Sequence, residues 1–384
     1  MSKKVVLLGS TGSIGCSTLR VARELPEEIE IIGLAAHTNA AQLAEQALET
    51  GAKHVCLYDD TKYAELRRML PSNVMIHLGP QGLIDIATLM EADTVLVAIV
   101  GTAGLQPSLA AIRAGKHLAV ASKEILVMAG EIVTREAKQA GVKLLPVDSE
   151  HNAIFQCLDG HRGGDAEISR LILTASGGPF RNTPANELPH VTLAQALKHP
   201  TWNMGRKITI DSASLFNKGL EMIEARWLFG IGMERIDVIV HPQSIIHSMV
   251  EFTDGSVLAQ LSNTDMCFPI QYALTWPQRR KGGLKPLNFA DLAKLEFIAP
   301  REQDFPALRL AREAGLTGGT LPAAYNAANE IAVDQFIAGK IPFTGIWANV
   351  EKTMNAHQVQ VADQLEPIIE ADQWARNFAR SLVS

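Results

Sequence analysis

The sequence predicts an α/β protein in three parts. A doubly wound parallel-sheet domain spans residues 1–147, and a central α/β catalytic domain with a mixed sheet spans 148–275. After a linker over 276–304, a C-terminal helical bundle spans 305–384. Three observations lead there. Short apolar runs alternate with helical patterns through the first part, the signature of a parallel sheet with crossover helices. A glycine-rich turn, Gly9-Ser10-Thr11-Gly12-Ser13-Ile14-Gly15, directly follows the first of those runs. From Phe305 onward the pattern is helical, with no strand-length run.

The predicted strands of the first part are 5–8, 29–34, 54–57, 74–76, 94–97, 117–120 and 142–147, with helices such as 40–49 and 105–114 between them. The pattern changes after Asp148. Runs at 168–174 and 236–240 read as strands. Those at 245–252 and 257–261 flank Thr253-Asp254-Gly255-Ser256 and read as an antiparallel hairpin. Residues 276–306 carry prolines and a Gly-Gly with little periodicity and read as a connector. Helices are expected at 308–314, 321–338, 345–355 and 363–383.

Composition narrows the function. Hydrophobic residues make up 47% and charged residues 20%, the balance of a soluble globular chain. A formal net charge of −6 argues against a nucleic-acid binder, which would show a basic excess. No apolar run approaches the roughly 18 residues of a membrane span. The run after Met1-Ser2-Lys3-Lys4 is too short for a signal-peptide core. Four scattered cysteines (Cys16, Cys56, Cys157, Cys267) form no CxxC and have no histidine at metal spacing. A cytoplasmic enzyme with reduced thiols is the expectation.

The glycine turn suits a dinucleotide. Glycines let the backbone approach a pyrophosphate, which then sits where helix amides and dipole favour anions. The acid that NAD sites place about 20 residues on, for the ribose 2′-hydroxyl, is missing. Ala35-Ala36-His37-Thr38-Asn39 stands there instead. This favours NADP, with His37, Thr38 and Asn39 left to hold the 2′-phosphate.

Asp148-Ser149-Glu150 closes the run 142–147. Residues two apart in extended chain share a face, so the carboxylates can converge, and a cation or proton must then lie between them. Oxygen-only donors point to Mg²⁺ or Mn²⁺. An ordinary acidic loop with Ser149 capping a helix over 151–158 fits the same residues.

Ser176-Gly177-Gly178 follows a strand and suits a phosphate nest, or a plain turn. The segment 199–221 gathers His199, Arg206, Lys207, Ser212, Asn217, Lys218 and Glu221 without a sustained helical or strand period. Ser212, Asn217 and Lys218 are ordinary surface types singly; together with Ser176 they suit a phosphate monoester. Glu221 suits either a third cation ligand or a first-turn carboxylate of a helix over 222–229. Pro200 and Gly205 bracket Trp202 and Met204, the makings of a lid. Lys123-Glu124, after the strand 117–120, can place an ammonium beside a nicotinamide or simply begin a helix with an ion pair. His241 and His247 read as structural.

These motifs, in this order along essentially the whole chain, resemble the 1-deoxy-D-xylulose 5-phosphate reductoisomerases. The resemblance rests on residues 9–15, Lys123-Glu124, 147–153, 176–180, 199–207, 217–221 and His241-Pro242-Gln243-Ser244. It implies an NADPH- and divalent-metal-dependent enzyme of the non-mevalonate isoprenoid pathway, acting as a homodimer. The metal ligands would be Asp148, Glu150 and Glu221. Ser176, Ser212, Asn217 and Lys218 would hold the phosphate and nearby substrate oxygens, and Lys123, Ser149 and His199 would contact substrate. Thr11, Gly12, Ser13, Ile14, Ser122, Glu124 and Gly205 would lie on the cofactor side, and Trp202 and Met204 in the lid. Three departures from the family pattern stand out: His37-Thr38 replaces a usual Gly-Lys/Arg before Asn39, Ser122 replaces an Asn, and Ala175 replaces another small residue before Ser176.

Without the resemblance, two rivals stand. A semialdehyde-type dehydrogenase needs a cysteine nucleophile, for which Cys157 is the candidate. A non-catalytic nucleotide sensor needs the glycine turn but neither the carboxylates nor the lid.

Overall fold

The computed structural model describes residues 2–161, 164–202 and 204–383. Two compact units form. The first comprises Met1–Ile125, Val133–Asn152 and Asp265–Lys285; the second comprises Leu126–Ile132, Ala153–Thr264 and Pro286–Ser384.

The first unit is built on a seven-stranded sheet: β1 (Lys3–Leu8), β2 (Ile29–Ala36), β3 (His54–Leu57), β4 (Met75–Leu78), β5 (Thr94–Val97), β6 (His117–Val120) and β7 (Leu144–Pro146). Its order is β4-β3-β2-β1-β5-β6-β7, with every pair parallel. The central strands are apolar throughout because both faces are covered: Val5 to Leu8 are 0% exposed. The chain runs outward in opposite directions from β1, so the crevice beyond the carboxyl ends of β1 and β5 is the switch point where such sheets bind ligands. The predicted strand at 142–147 shortens to β7. Val142 instead donates to Ala137 O (3.0 Å), closing the preceding helix behind Gly141 at φ 68°.

Residues 265–285 return to this unit. The helix Cys267–Thr275 docks on the helix Ser13–Glu24, where Arg20 Nε lies 2.9 Å from Cys267 Sγ and its guanidinium pairs with Asp265.

The second unit holds a four-stranded mixed sheet of order β11-β10-β8-β9, made of β8 (Ile168–Ala175), β9 (Ile236–Val240), β10 (Ile246–Phe252) and β11 (Val257–Leu261). Only β8 and β9 pair in parallel; β10 and β11 are the expected hairpin. Helices Ala307–Thr317, Leu321–Ile337, Gly345–Ala356 and Leu365–Ser381 follow. They share one core with the sheet and with the helix Phe216–Phe229. Phe343 joins them, with Phe180, Phe336 and Trp347 rings edge-on at 5.0, 5.6 and 5.4 Å. The connector carries one short helix, Phe289–Leu292, and a bridge from Ile298 to Val240.

The helix Lys123–Ala140 belongs to the first unit at its ends and to the second over Leu126–Ile132. It kinks at Ala129 (φ −129°, ψ 26°). Gly130 beside the kink is obligatory, since a Cβ there would lie 2.2 Å from the Trp227 ring. Among the described residues, no helix is long and apolar enough to cross a membrane.

Candidate active site

In the first unit the glycine turn ends β1 and opens the helix Ser13–Glu24. Gly12 is its N-cap and supplies no side chain, so the first amides face outward for an anion. Gly9 takes φ +94°, and a Cβ there would sit 2.4 Å from Ala98 O. A Cβ on Gly15 would sit 2.4 Å from the carbonyl oxygens of Gly9 and Ser10. The backbone can close this tightly only with glycine. His37, Thr38 and Asn39 follow β2 and are exposed. Asn39 caps the next helix: its Oδ1 accepts from Gln42 N (3.2 Å) and its Nδ2 donates to Gln42 Oε1 (2.9 Å). His37 lies beside the Tyr58 ring, centroids 5.1 Å apart.

Ser122 is the N-cap residue of the helix that Lys123 begins, but its hydroxyl donates to Ile99 O (2.5 Å) at the end of β5. Lys123 Nζ sits 2.6 Å from Asp148 Oδ2, with both side chains largely buried. Ser149 Oγ donates to Glu150 Oε2 at 2.6 Å. His151, fully buried, has Nδ1 4.0 Å from Asp148 Oδ2. Ser149 opens the helix Ser149–Leu158, and Asp148 accepts at its backbone carbonyl from Asn152 N (2.8 Å). The helix thus starts at Ser149, two residues before the expected 151–158 and without Ser149 as its cap, and Asp148 pairs with Lys123.

In the second unit the segment 199–221 is more helical than its sequence suggests. Helices Arg206–Ala213 and Phe216–Phe229 occupy it, divided by Leu215 at φ 65°. Their apolar stripe is obscured because polar side chains are buried as well: Lys218 and Glu221 sit among Phe216, Leu220 and Met222. Glu221 therefore lies in the second turn of its helix, not in a first turn before residue 222.

Three donors meet across this unit. Ser176 Oγ is 3.0 Å and Ser212 Oγ 3.2 Å from His199 Nε2. His199 Nδ1 accepts from the amides of Thr201 (3.2 Å) and Trp202 (2.9 Å). An accepting Nδ1 carries no proton, so His199 is neutral with its proton on Nε2, aimed at the serines. The Ser176 turn reaches Ser212 because Gly177 (φ +78°) and Gly178 (φ +66°) are left-handed. A Cβ on Gly178 would meet Ala213 Cα at 2.8 Å. Asn217 Nδ2 and Lys218 Nζ both bond the Glu221 carboxylate, one to each oxygen. Glu221 is 0% and Lys218 3% exposed. Trp202 and Met204 are half-buried, and the Trp202 ring stands 6.3 Å from that of His247. His241 is structural: its ring bonds Glu296 O (2.8 Å) and Ile245 N (3.2 Å).

Sequence reasoning passed over Asp211, Tyr325 and Asn329. Asp211 had a signal in its place four residues after Lys207. Tyr325 and Asn329 had none, standing far along the chain in a helix of apolar pattern. Burial pushes the Cys56 thiol up to about 12 and the Cys267 thiol up to about 11, while Cys157, on which the thiol rival rests, is half-buried.

Three family models cover most of the chain. The model for 1-deoxy-D-xylulose 5-phosphate reductoisomerase matches residues 5–130, that for its C-terminal domain residues 144–229, and that for the DXP reductoisomerase C-terminal domain residues 261–378. The chain belongs to the 1-deoxy-D-xylulose 5-phosphate reductoisomerase family. The family member of Pelodictyon phaeoclathratiforme is 53% identical over 100% of both chains, and that of Chlorobium chlorochromatii 54% identical over 98% of both. Among solved structures, the Zymomonas mobilis reductoisomerase in complex with NADPH superposes with a TM-score of 0.94 at 44% identity. That match covers 100% of this chain and 99% of the other. A reductoisomerase in complex with NADPH, fosmidomycin and magnesium does so with a TM-score of 0.94 at 41% identity, covering 99% and 98%.

The buried Lys218–Glu221 pair gives a stability test. Lys218→Met strands a buried carboxylate and should cost about 3–5 kcal/mol in denaturant unfolding. Adding Glu221→Gln removes the stranded charge and should recover most of that loss. Additive losses in the double variant would show that the pair is not coupled.

Proposed function

We propose that this chain catalyses the NADPH-dependent rearrangement of 1-deoxy-D-xylulose 5-phosphate and its reduction to 2-C-methyl-D-erythritol 4-phosphate, with Mg²⁺ or Mn²⁺. The observation that carries the reading is the convergence of Ser176, His199 and Ser212 in a chain that matches the family from end to end. Three neutral donors gathered at His199 Nε2 fit a phosphate monoester, and Lys218 with Asn217 adds an ammonium and an amide one helix on.

The residues present fit both absent groups. Gly9, Gly12 and Gly15 leave a bare helix N-terminus for the dinucleotide's pyrophosphate, and Thr11, Ser13 and Ile14 line the same turn. NADPH when bound supplies hydride. Asp148, Glu150 and Glu221 offer only carboxylate oxygens, which suits a hard divalent cation. The cation when bound polarises the oxygens of the substrate it touches.

This chain's own residues do the remaining work. Lys123, fixed by Asp148, presents an ammonium to a developing oxyanion. His199 donates from Nε2 while its Nδ1 stays pinned to the Thr201 and Trp202 amides, which ties this donor to the base of the lid. Ser149 meets the substrate beside Glu150. Trp202 and Met204 cover the bound substrate and exclude water, with Gly205 as the lid's end. Glu124 and Gly205 face the cofactor. The 2′-phosphate falls to His37, Thr38 and Asn39, with Asn39 also capping the helix that follows.

We also propose a cytoplasmic homodimer. Edge strand β11 leaves Val257 46% and Leu258 50% exposed, an apolar edge that a second copy would cover.

Loss of the NADPH absorbance band should require 1-deoxy-D-xylulose 5-phosphate, stop with EDTA and resume with Mg²⁺ or Mn²⁺. Substrate-dependent oxidation that persists in EDTA would remove the metal assignment. In the same assay Trp202→Ala should lower kcat about tenfold or more and leave NADPH affinity nearly intact; equal loss of both would remove the lid. Light scattering should give twice the chain mass, and Leu258→Lys should shift it toward one chain. An unchanged dimer in that variant would place the interface elsewhere.

A further inference from the structure

We propose that Asp211 is a positioning residue for the substrate phosphate, a carboxylate that sets Ser212 and the foot of the lid without touching substrate. The inference rests on Ser212 being a phosphate ligand. It begins from an electrostatic oddity. The helix Arg206–Ala213 opens directly after Gly205 with two cations, Arg206 and Lys207, in its first turn. Cations are disfavoured at a helix N-terminus, and Lys preceding an acid by four residues is the weaker order for a helical pair. Yet Lys207 Nζ is held 2.7 Å from Asp211 Oδ2, and the Asp211 side chain is 1% exposed.

The other Asp211 oxygen is also taken. Oδ1 accepts from Asn329 Nδ2 at 2.9 Å, and Asn329 is fully buried in the helix Leu321–Ile337. One turn earlier in that helix, Tyr325 stacks on Phe216 with centroids 5.5 Å apart. Its hydroxyl lies where a Cβ on Gly219 would come within 2.4 Å. Burial first, and the nearby Asp211 second, push the Tyr325 phenol well above its ordinary pKa, so it stays neutral. A single helix of the C-terminal part is therefore keyed into both substrate helices. Asn329 holds the turn bearing Ser212, and Tyr325 abuts the residue after Lys218.

Apolar side chains would fill this space at lower desolvation cost than a buried ion pair. A charged arrangement at such a place fixes direction rather than adding stability. Ser212 Oγ must stay 3.2 Å from His199 Nε2 for the two donors to share one ligand. Asp211, its chain neighbour, is locked from two sides.

The test compares Asp211→Asn, Asn329→Ala and Ser212→Ala in the NADPH-loaded, metal-supplied enzyme. Asparagine keeps the size of Asp211 and an oxygen for Asn329 while removing the charge opposite Lys207. KM for 1-deoxy-D-xylulose 5-phosphate and the competitive Ki of inorganic phosphate should both rise about tenfold in Asp211→Asn and about threefold in Asn329→Ala, since small misplacement of a binding group is costly. The Kd of NADPH by fluorescence should stay within about twofold, and kcat should fall less than KM rises. Unchanged KM and phosphate Ki in both variants would overturn the proposal. So would parallel losses of phosphate and NADPH affinity with a lowered Tm, which mark a merely structural role. If Ser212→Ala leaves the phosphate Ki untouched, the phosphate assignment itself fails, a result distinguishable from failure of Asp211 alone.

Discussion

Three acids of this molecule, Glu221, Asp148 and Asp211, face one constraint: a carboxylate taken out of water must be neutralised where it lies. Glu221 is fully buried and is met by Lys218 and Asn217; Asp148 is met by Lys123. Asp211 is met by Lys207 and Asn329. The lysines thus have two uses. They make the buried acids tolerable during folding, and they stand as ammonium groups beside the positions assigned to a phosphate and a developing oxyanion. Lys218 and Lys207 each share a helix with the acid they meet, which keeps those charges in fixed register.

The scaffold serves this constraint at different distances. The parallel sheet needs only apolar strands and glycine at Gly9 and Gly15 to present bare amides at its switch point. The second unit has the harder task, because its site helices are buried on most sides. The C-terminal helices close over them in one shared core, and the same helix that supplies Tyr325 to that core supplies Asn329 to Asp211.

Much of this was legible in the residues. Strands that are short continuous apolar runs, such as β3, β5 and β6, fall where those runs place them, and the β10–β11 hairpin is announced by Asp254-Gly255. The family motifs name the acids, serines and lysines proposed for the site. The helical nature of 206–221 was not legible, since Lys218, Glu221 and Asp211 occupy positions where periodicity looks for apolar residues. Nor was the state of His199, which depends on two backbone amides closing on Nδ1. Nor was the cap that Asn39 makes, which depends on Gln42 closing on its side chain. Contacts such as Asn329–Asp211 join residues far apart in the chain and leave no local trace.

The central proposal is that Asp148, Glu150 and Glu221 hold one hard divalent cation, which shares the negative charge of these acids with the two site lysines. Direct Mn²⁺ binding, followed by paramagnetic resonance without turnover, tests it most simply. The account predicts one Mn²⁺ per chain in the native protein, and affinity at least about tenfold weaker in Asp148→Asn, in line with losing one of three charged oxygen ligands. NADPH affinity should be retained in that variant. Unchanged Mn²⁺ stoichiometry and affinity in Asp148→Asn would contradict it.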